Sequence, residues 1–361
     1  MLKRVLCALV LSLACVRDSR GATEVARLTP PGDIQAALDA LGGTAGEVVL
    51  GPGTFRITSG LLFPDTLPIC LRGAGPEATR IVCADPTVDI VTIRGSFSRL
   101  KDLSIVGPGL PGRGRGIVIG SDNADLTNVA LEDLVVHGTA GPALRVGRYD
   151  DGAHITILTR VSNCLFRENA SSTGALVYLA PGGTTTQFRS CSFTRYRGCA
   201  VAVIHHDGAV FDACNIEEPL ANDQAGLVAS SSHDLKVLHT WFENTTSHLN
   251  VRQISIDNTI GTDIEGCNFN SGSSYPCAIS VGGNGGHDAG VRIVGCWAAV
   301  NGSPTGGDHV YVGPRVRSVL LDGGGVRDYV TRPLGSAAEN LHPWTVKDSS
   351  RAAITLVRQV R

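Results

Sequence analysis

A six-residue pattern recurs along this chain, and its spacing limits the fold more than any other feature. Phe188-Arg189-Ser190-Cys191-Ser192-Phe193 shows it: an apolar residue, two small or polar residues, Cys or another apolar residue, any residue, then a large apolar one. Val161 to Phe166, Phe211 to Ile216, Ile264 to Phe269 and Ile293 to Ala298 repeat it with Cys in the fourth position. Leu100 to Ile105, Leu131 to Val136, Val237 to Phe242 and Val319 to Gly324 are looser copies. The fourth positions serve as anchors and fall at 103, 134, 164, 191, 214, 240, 267, 296 and 322. Their mean spacing is about 27 residues, within the period of about 20–50 that marks a stack of identical supersecondary units.

Each period holds three short apolar runs. The first is rich in β-branched residues, as at Ala143 to Val146, Ala175 to Leu179, Ala200 to Ile204, Gly226 to Ala229 and Gln253 to Ile256. The second ends two residues before the anchor and the third starts on it. The two residues between are often Asn, Ser, Gly or Asp, types that accept tight bends. No window beyond Leu41 shows the 3.6 period of a helix. Three strands per period without helices describe one coil of a parallel β-helix, so the fold class is all-β. In such a stack the anchor cysteines act as small buried hydrophobes. Stacked strands lie about 4.8 Å apart, wider than the roughly 3.8 Å between Cβ atoms that a disulfide wants. Pairings of Cys70 with Cys83 and of Cys199 with Cys277 stay open.

The composition agrees. Gly is high at 44 residues and aromatics are low at 5%, which suits many tight turns and argues against a helical bundle. The net charge is −2 with no long charge run, so nothing argues for a nucleic-acid partner. Residues 1–21 read as a signal peptide: Lys3 and Arg4 precede an apolar run, Val5 to Val16, that is too short to span a bilayer. Secretion or export to a periplasm is the expectation, with lipid attachment at Cys15 as the rival. No later stretch reads as transmembrane. The remainder, 22–361, is expected to be one domain. A capping helix at 33–41 has Ile34, Ala37, Leu38 and Leu41 on one face. Coils follow over about 47–330, then a C-terminal loop and cap over 331–361. Within that last part Leu341 to Ser350 is expected to be an irregular crossing loop.

The entry of the chain is distinctive. Gly32-Asp33-Ile34-Gln35-Ala36-Ala37-Leu38 is followed by Pro52-Gly53-Thr54-Phe55 and then by Leu71-Arg72-Gly73-Ala74-Gly75. This succession resembles the start of the pectate lyase superfamily, and the resemblance runs from Asp33 to Val330. It implies a right-handed, single-stranded parallel β-helix closed by a short helix, a hand that parallel crossovers also favour. It implies little about activity. The superfamily spans lyases, hydrolases, epimerases, tailspikes and proteins without a reaction, so function has to come from the site.

Stacking turns equal offsets from the anchor into lines on the surface. Asp207 and His233 each lie seven residues before their anchors, so they are expected to be neighbours on adjacent coils. With His206 they are the candidate catalytic group, since a His beside a carboxylate can be a poised acid/base pair. A second line, ahead of the first strands, supplies the candidate substrate-binding residues Arg197, Asp223 and Arg252. An Arg can pair with a uronate carboxylate through two hydrogen bonds. Asp207, Asp223 or Asp257 could hold Ca²⁺ through oxygen ligands, although no metal-binding motif is complete. Asn222-Asp223-Gln224-Ala225-Gly226 resembles part of the polygalacturonase layout, but the Asp pair, Gly-His-Gly and Arg-x-Lys elements are missing. Tyr149, Tyr196, Trp241, Trp297 and Tyr275 are candidates for a sugar platform. Trp241 and Trp297 follow their anchors by one residue and are expected to point outward. Asn169, Asn244 and Asn301 each begin an N-glycosylation triplet.

The expected function is therefore that of a secreted carbohydrate-active protein acting on an acidic polysaccharide by β-elimination. The alternatives are a non-catalytic exported β-helix that binds polysaccharide, a surface glycan or another cell-surface partner, and a glycoside hydrolase of the same fold.

Overall fold

The computed structural model describes residues 24–41, 44–65, 68–147, 154–170, 174–220, 225–244, 252–271, 278–282, 288–300, 310–312, 316, 319–322 and 345–347. The signal segment, Tyr149, Asp223, Tyr275, Cys277, Asn301 and Ala353 to Val360 lie outside the described residues.

The coil pattern builds an all-β parallel solenoid with very little helix. First strands form a ten-stranded parallel sheet whose order follows the chain from Leu61–Phe63 to Val310–Val312. Second and third strands stack in the same way. Phe188 pairs with Val161 below and Phe211 above, and Phe193 with Phe166 and Ile216. Like residues thus meet inside the solenoid, as the repeat requires. Phe188 and Phe211 stack at 4.9 Å and 4°, and Phe242 and Phe269 at 5.0 Å and 19°. Each such pair adds about 0.5–1.5 kcal/mol to the burial of its rings.

The corners are left-handed residues at fixed offsets. The residue before each of the first eight anchors has positive φ: Asp102, Asp133, Asn163, Ser190, Ala213, His239, Gly266 and Gly295, at 48° to 61°. Asp322, expected as the ninth anchor, instead pairs with Val294, two residues short of the position of Cys296. A second line lies six residues before the anchor and includes Thr185, Gly208, Asp234 and Gly261. Each such residue places two outward positions in succession and so turns the chain.

The anchor has a physical task at the bend. Its side chain reaches back to the carbonyl two residues earlier, which the bend draws out of strand geometry. Cys164 Sγ donates to Ser162 O at 3.2 Å, Cys191 to Arg189 O at 3.4 Å, and Cys267 to Glu265 O at 3.5 Å. Thr240 does the same for Leu238 O at 2.9 Å. Where the anchor is Cys or Thr it is small, inward and a donor, and so meets that carbonyl; Leu103 and Leu134 fill the same inward position without donating. Among the described residues Cys70, Cys83 and Cys199 are also free thiols.

The helix covers the open end, as expected. It spans Ile34–Ala40, and the Asp33 carboxylate accepts from Ala36 N at 3.0 Å. Ile34 and Leu38 are buried. Gln35 occupies the free edge of the first sheet: Leu62 N donates to its Oε1 at 2.8 Å and its Nε2 donates to Leu62 O at 3.1 Å. An edge strand satisfied in this way cannot template a further strand.

Two boundaries differ from the expectation. A strand at Glu24–Leu28 precedes the helix and pairs with Gly46–Leu50. Only Ala26 and Leu28 of it pack on the core, too few to show alternation. Thr345–Lys347 is a strand paired with Leu320–Asp322, within the stretch expected to be irregular. Among the described residues no helix is long and apolar enough to cross a membrane.

Candidate active site

The corner after the first strand separates the expected catalytic trio. Asp207 and His233 bridge adjacent coils in parallel register, and His233 Nδ1 lies 2.8 Å from Asp207 Oδ1. Both side chains are more than half exposed, at 53% and 58%. His206, one residue before Asp207, faces inward and is fully buried. Its Nδ1 lies 3.2 Å from Ala180 O and its Nε2 3.0 Å from the Thr186 hydroxyl. A carbonyl can only accept, so Nδ1 carries the proton and Nε2 accepts from Thr186. Burial pushes the His206 imidazole down to about 4, so it is neutral near pH 7 and turned away from solvent. The ring fits because Gly183 lies beside it on the previous coil; a Cβ there would overlap the imidazole. His206 is thus a core residue, separated from the pair it was grouped with.

The expected cations are not at this corner. Exposed Arg197 and half-buried Arg252 precede their first strands, Val201–Ile204 and Ile254–Asp257. Asp207 and His233 follow the first strands of their own coils. A four-residue strand spans about 13 Å, so base and cation stand at opposite ends of the first sheet. Among the described residues no three His, Cys, Asp or Glu side chains gather as a metal site. Asp207 is engaged by His233, and Asp257 lies half-buried on a different coil. These residues do not fit a Ca²⁺ cage.

A different face brings ionisable groups together. Along each third strand the anchor and the residue two later point inward, so the first and third residues after the anchor point out. The row at the third position runs His137, Arg167, Thr194, Glu217, Glu243 and Asn270, each in register with the next. Its members are half-buried rather than fully exposed. Burial raises the Glu217 carboxyl above its ordinary range, and the neighbouring Glu218 and Glu243 carboxylates add to this. A hydrogen bond from Asn215 opposes the rise. Glu243 Oε2 accepts from Trp241 Nε1 at 2.9 Å. Parallel register sets the Glu217 and Glu243 backbones about 4.8 Å apart. At the other end of the row, burial and the Arg167 and Arg80 charges lower His137 below its ordinary value.

No protein-family model matches the chain, and no curated protein sequence does. Solved structures match it in fold. ORF18 of Geobacillus virus E2 superposes with TM-score 0.60 at 14% identity, over 89% of this chain and 59% of that one. The chain therefore spans little more than half the length of the viral protein. The A-module of mannuronan C-5 epimerase AlgE4 from Azotobacter vinelandii superposes with TM-score 0.56 at 15% identity, over 87% and 94% of the two chains. DFA-IIIase from Arthrobacter chlorophenolicus A6 gives 0.58 at 12% identity, over 89% and 92%. The chain shares the fold of these structures, a right-handed parallel β-helix, as the resemblance to the pectate lyase superfamily implied. The structural neighbours of this β-helix include carbohydrate-active proteins, the epimerase and DFA-IIIase among them.

Within this β-helix the remaining candidates sort by burial. Tyr196 is fully buried, so it offers no platform, whereas Trp241 and Trp297 are exposed as their offset implied. Asn169 and Asn244 are buried at 2%, which closes both as glycosylation acceptors in the folded chain. Sequence reasoning missed Glu217, Glu243, His137 and Arg167. The signal was available: both glutamates follow their anchors, 214 and 240, by three residues. Ionisable residues stand out upstream of the anchor, where His and Asp are dense, whereas the third position after it carries a different residue type on nearly every coil.

Proposed function

We propose that this β-helix cleaves glycosidic bonds of a polysaccharide laid along the outward face of its third strands. Glu217 acts as the acid and Glu243 as its partner carboxylate. The observation that carries this reading is the pairing of a carboxyl raised by burial with a second carboxylate in register on the next coil. A carboxyl that burial keeps protonated to higher pH suits proton donation to a leaving oxygen, with a second carboxylate beside it to face the reacting sugar. Glu217 protonates the glycosidic oxygen as the bond to the anomeric carbon breaks. Glu243, held by the Trp241 indole, faces the positive charge that develops on the sugar. Glu217, now ionised, then takes a proton from a water molecule whose oxygen bonds to the anomeric carbon, which completes hydrolysis and restores the acid. The fold likeness to carbohydrate-active enzymes supports this reading, and the signal-like first 21 residues would place it outside the cytoplasm.

Release of reducing ends from a panel of neutral and acidic polysaccharides tests the proposal. Glu217→Gln is expected to lower the rate by on the order of 10²–10⁴-fold. Release by wild type that Glu217→Gln leaves intact would sink it, as would no release from any polymer.

One observation favours a second reading, β-elimination of an acidic polysaccharide. His137 is kept neutral next to Arg167, which pairs a base with a cation suited to a uronate carboxylate. The ultraviolet absorbance of an unsaturated sugar product, abolished by His137→Ala and not by Glu217→Gln, would select it.

A further inference from the structure

Two large apolar side chains stand exposed on the face that carries Glu217 and Glu243. Trp241 is 40% and Trp297 60% exposed. Both follow their anchors by one residue. Trp241 is in register with Asn268, and Asn268 with Trp297, so the indoles occupy the same outward position two coils apart. Two coil rises amount to about 10 Å. Asn268 is exposed between them and offers an amide donor and acceptor. The Trp241 ring is tied to Glu243 by its Nε1 hydrogen bond, so its orientation is set before any ligand arrives.

We infer that Trp241 and Trp297 form a two-ring platform for an extended β-1,4-linked glycan. In such a chain successive sugars are turned over, so the same ring face recurs at every second sugar. That repeat is close to two coil rises. The apolar face of one sugar meets Trp241, the next presents hydroxyls to Asn268, and the third meets Trp297. Coiled or kinked α-linked chains lack this spacing and direction. Two separate exposed rings with a polar residue between them suit a sugar chain better than a protein partner, whose interface would demand a larger contiguous apolar core. A glycan so laid runs along the coil axis, and its sugar at Trp241 lies beside Glu243. The platform deepens the hydrolytic reading and rests on it for the site of cleavage, but not for binding.

Affinity electrophoresis of the full chain tests the platform, using Glu217→Gln so that no turnover intervenes. Hydroxyethyl cellulose, xylan and glycol chitin serve as β-1,4 probes, and dextran and pullulan as α-linked controls. At least one β-1,4 polymer is expected to retard the protein and the α-linked ones are not. Trp297→Ala is expected to weaken binding about tenfold, the loss of one stacked ring. Trp297→Phe retains most of it, and the double Trp241→Ala, Trp297→Ala variant abolishes it. Circular dichroism confirms that each variant is folded. Absent retardation, equal retardation by dextran, or indifference to Trp297→Ala would overturn the platform. Binding without release of reducing ends by wild type would sink the hydrolytic reading alone.

Discussion

His233 Nδ1 reaches Asp207 Oδ1 at 2.8 Å across the step between two coils, while His206, adjacent to Asp207 in the chain, points into the core. One register thus produces a solvent-facing hydrogen-bonded pair and a buried neutral imidazole from three polar residues. The two faces of this corner have different consequences.

The outer pair is exposed, so its contribution to stability is small. His233→Ala is expected to change unfolding free energy by no more than about 1 kcal/mol, read by urea denaturation. In reducing-end assays, comparison of His233→Ala with Glu217→Gln also decides between faces. Loss of activity confined to His233→Ala would return the chemistry to this corner.

The inner residue depends on Gly183. Gly183→Ala forces a methyl group against the His206 ring and is expected to cost about 1–3 kcal/mol. In a His206→Ala background the obstacle is gone, and the same substitution becomes nearly neutral. A double-mutant cycle by chemical denaturation measures that coupling.

Protonation of His206 links stability to pH. Its ordinary value is 6.5 and burial lowers it to about 4 in the folded chain. The unfolded chain therefore binds the proton first as pH falls. The contribution is whole above pH 6.5 and is lost between 6.5 and about 4, amounting to about 3 kcal/mol. Glu217 and Asp288 are raised by burial and act in the opposite sense at lower pH. The difference between wild type and His206→Asn in denaturation midpoint, followed from pH 7 to 4, isolates the His206 share. A constant difference would contradict it.

The anchor thiols are inert in the folded chain. Cys164, Cys191, Cys214, Cys267 and Cys296 are at most 3% exposed. The hydrogen-bonded Cys164 thiol and burial push Cys191 up to about 12, against an opposing hydrogen bond with Cys214, so it holds its proton at neutral pH. A colorimetric thiol reagent is expected to leave these five unlabelled in buffer and to label them in denaturant. Fast labelling of the native protein would mean that the coils open locally.

Much of the architecture was legible because parallel stacking makes one coil copy another. Cys191 and Phe193 mark inward positions that recur from coil to coil, and the predicted first strands from Ala143 to Ile256 match the ladder to within two residues at either end. The adjacency of Asp207 and His233 followed from the same count. The strand at Glu24–Leu28 was not legible, because two inward apolar residues show no period.

Sequence alone therefore determined the coil, its period, the capping helix and which residues share a line along the axis. It could not say which side of the wall each corner residue takes. Strict alternation holds only within a strand, and the left-handed residues at His205 and Gly208 each add an outward position, leaving His206 inside and Asp207 outside. Nor could it show that Glu217 is half-buried beside Glu243, because that environment is assembled from different coils. Tertiary structure decided both, since burial and charge at a site depend on neighbours about 26 residues away in the chain and one strand spacing away in space.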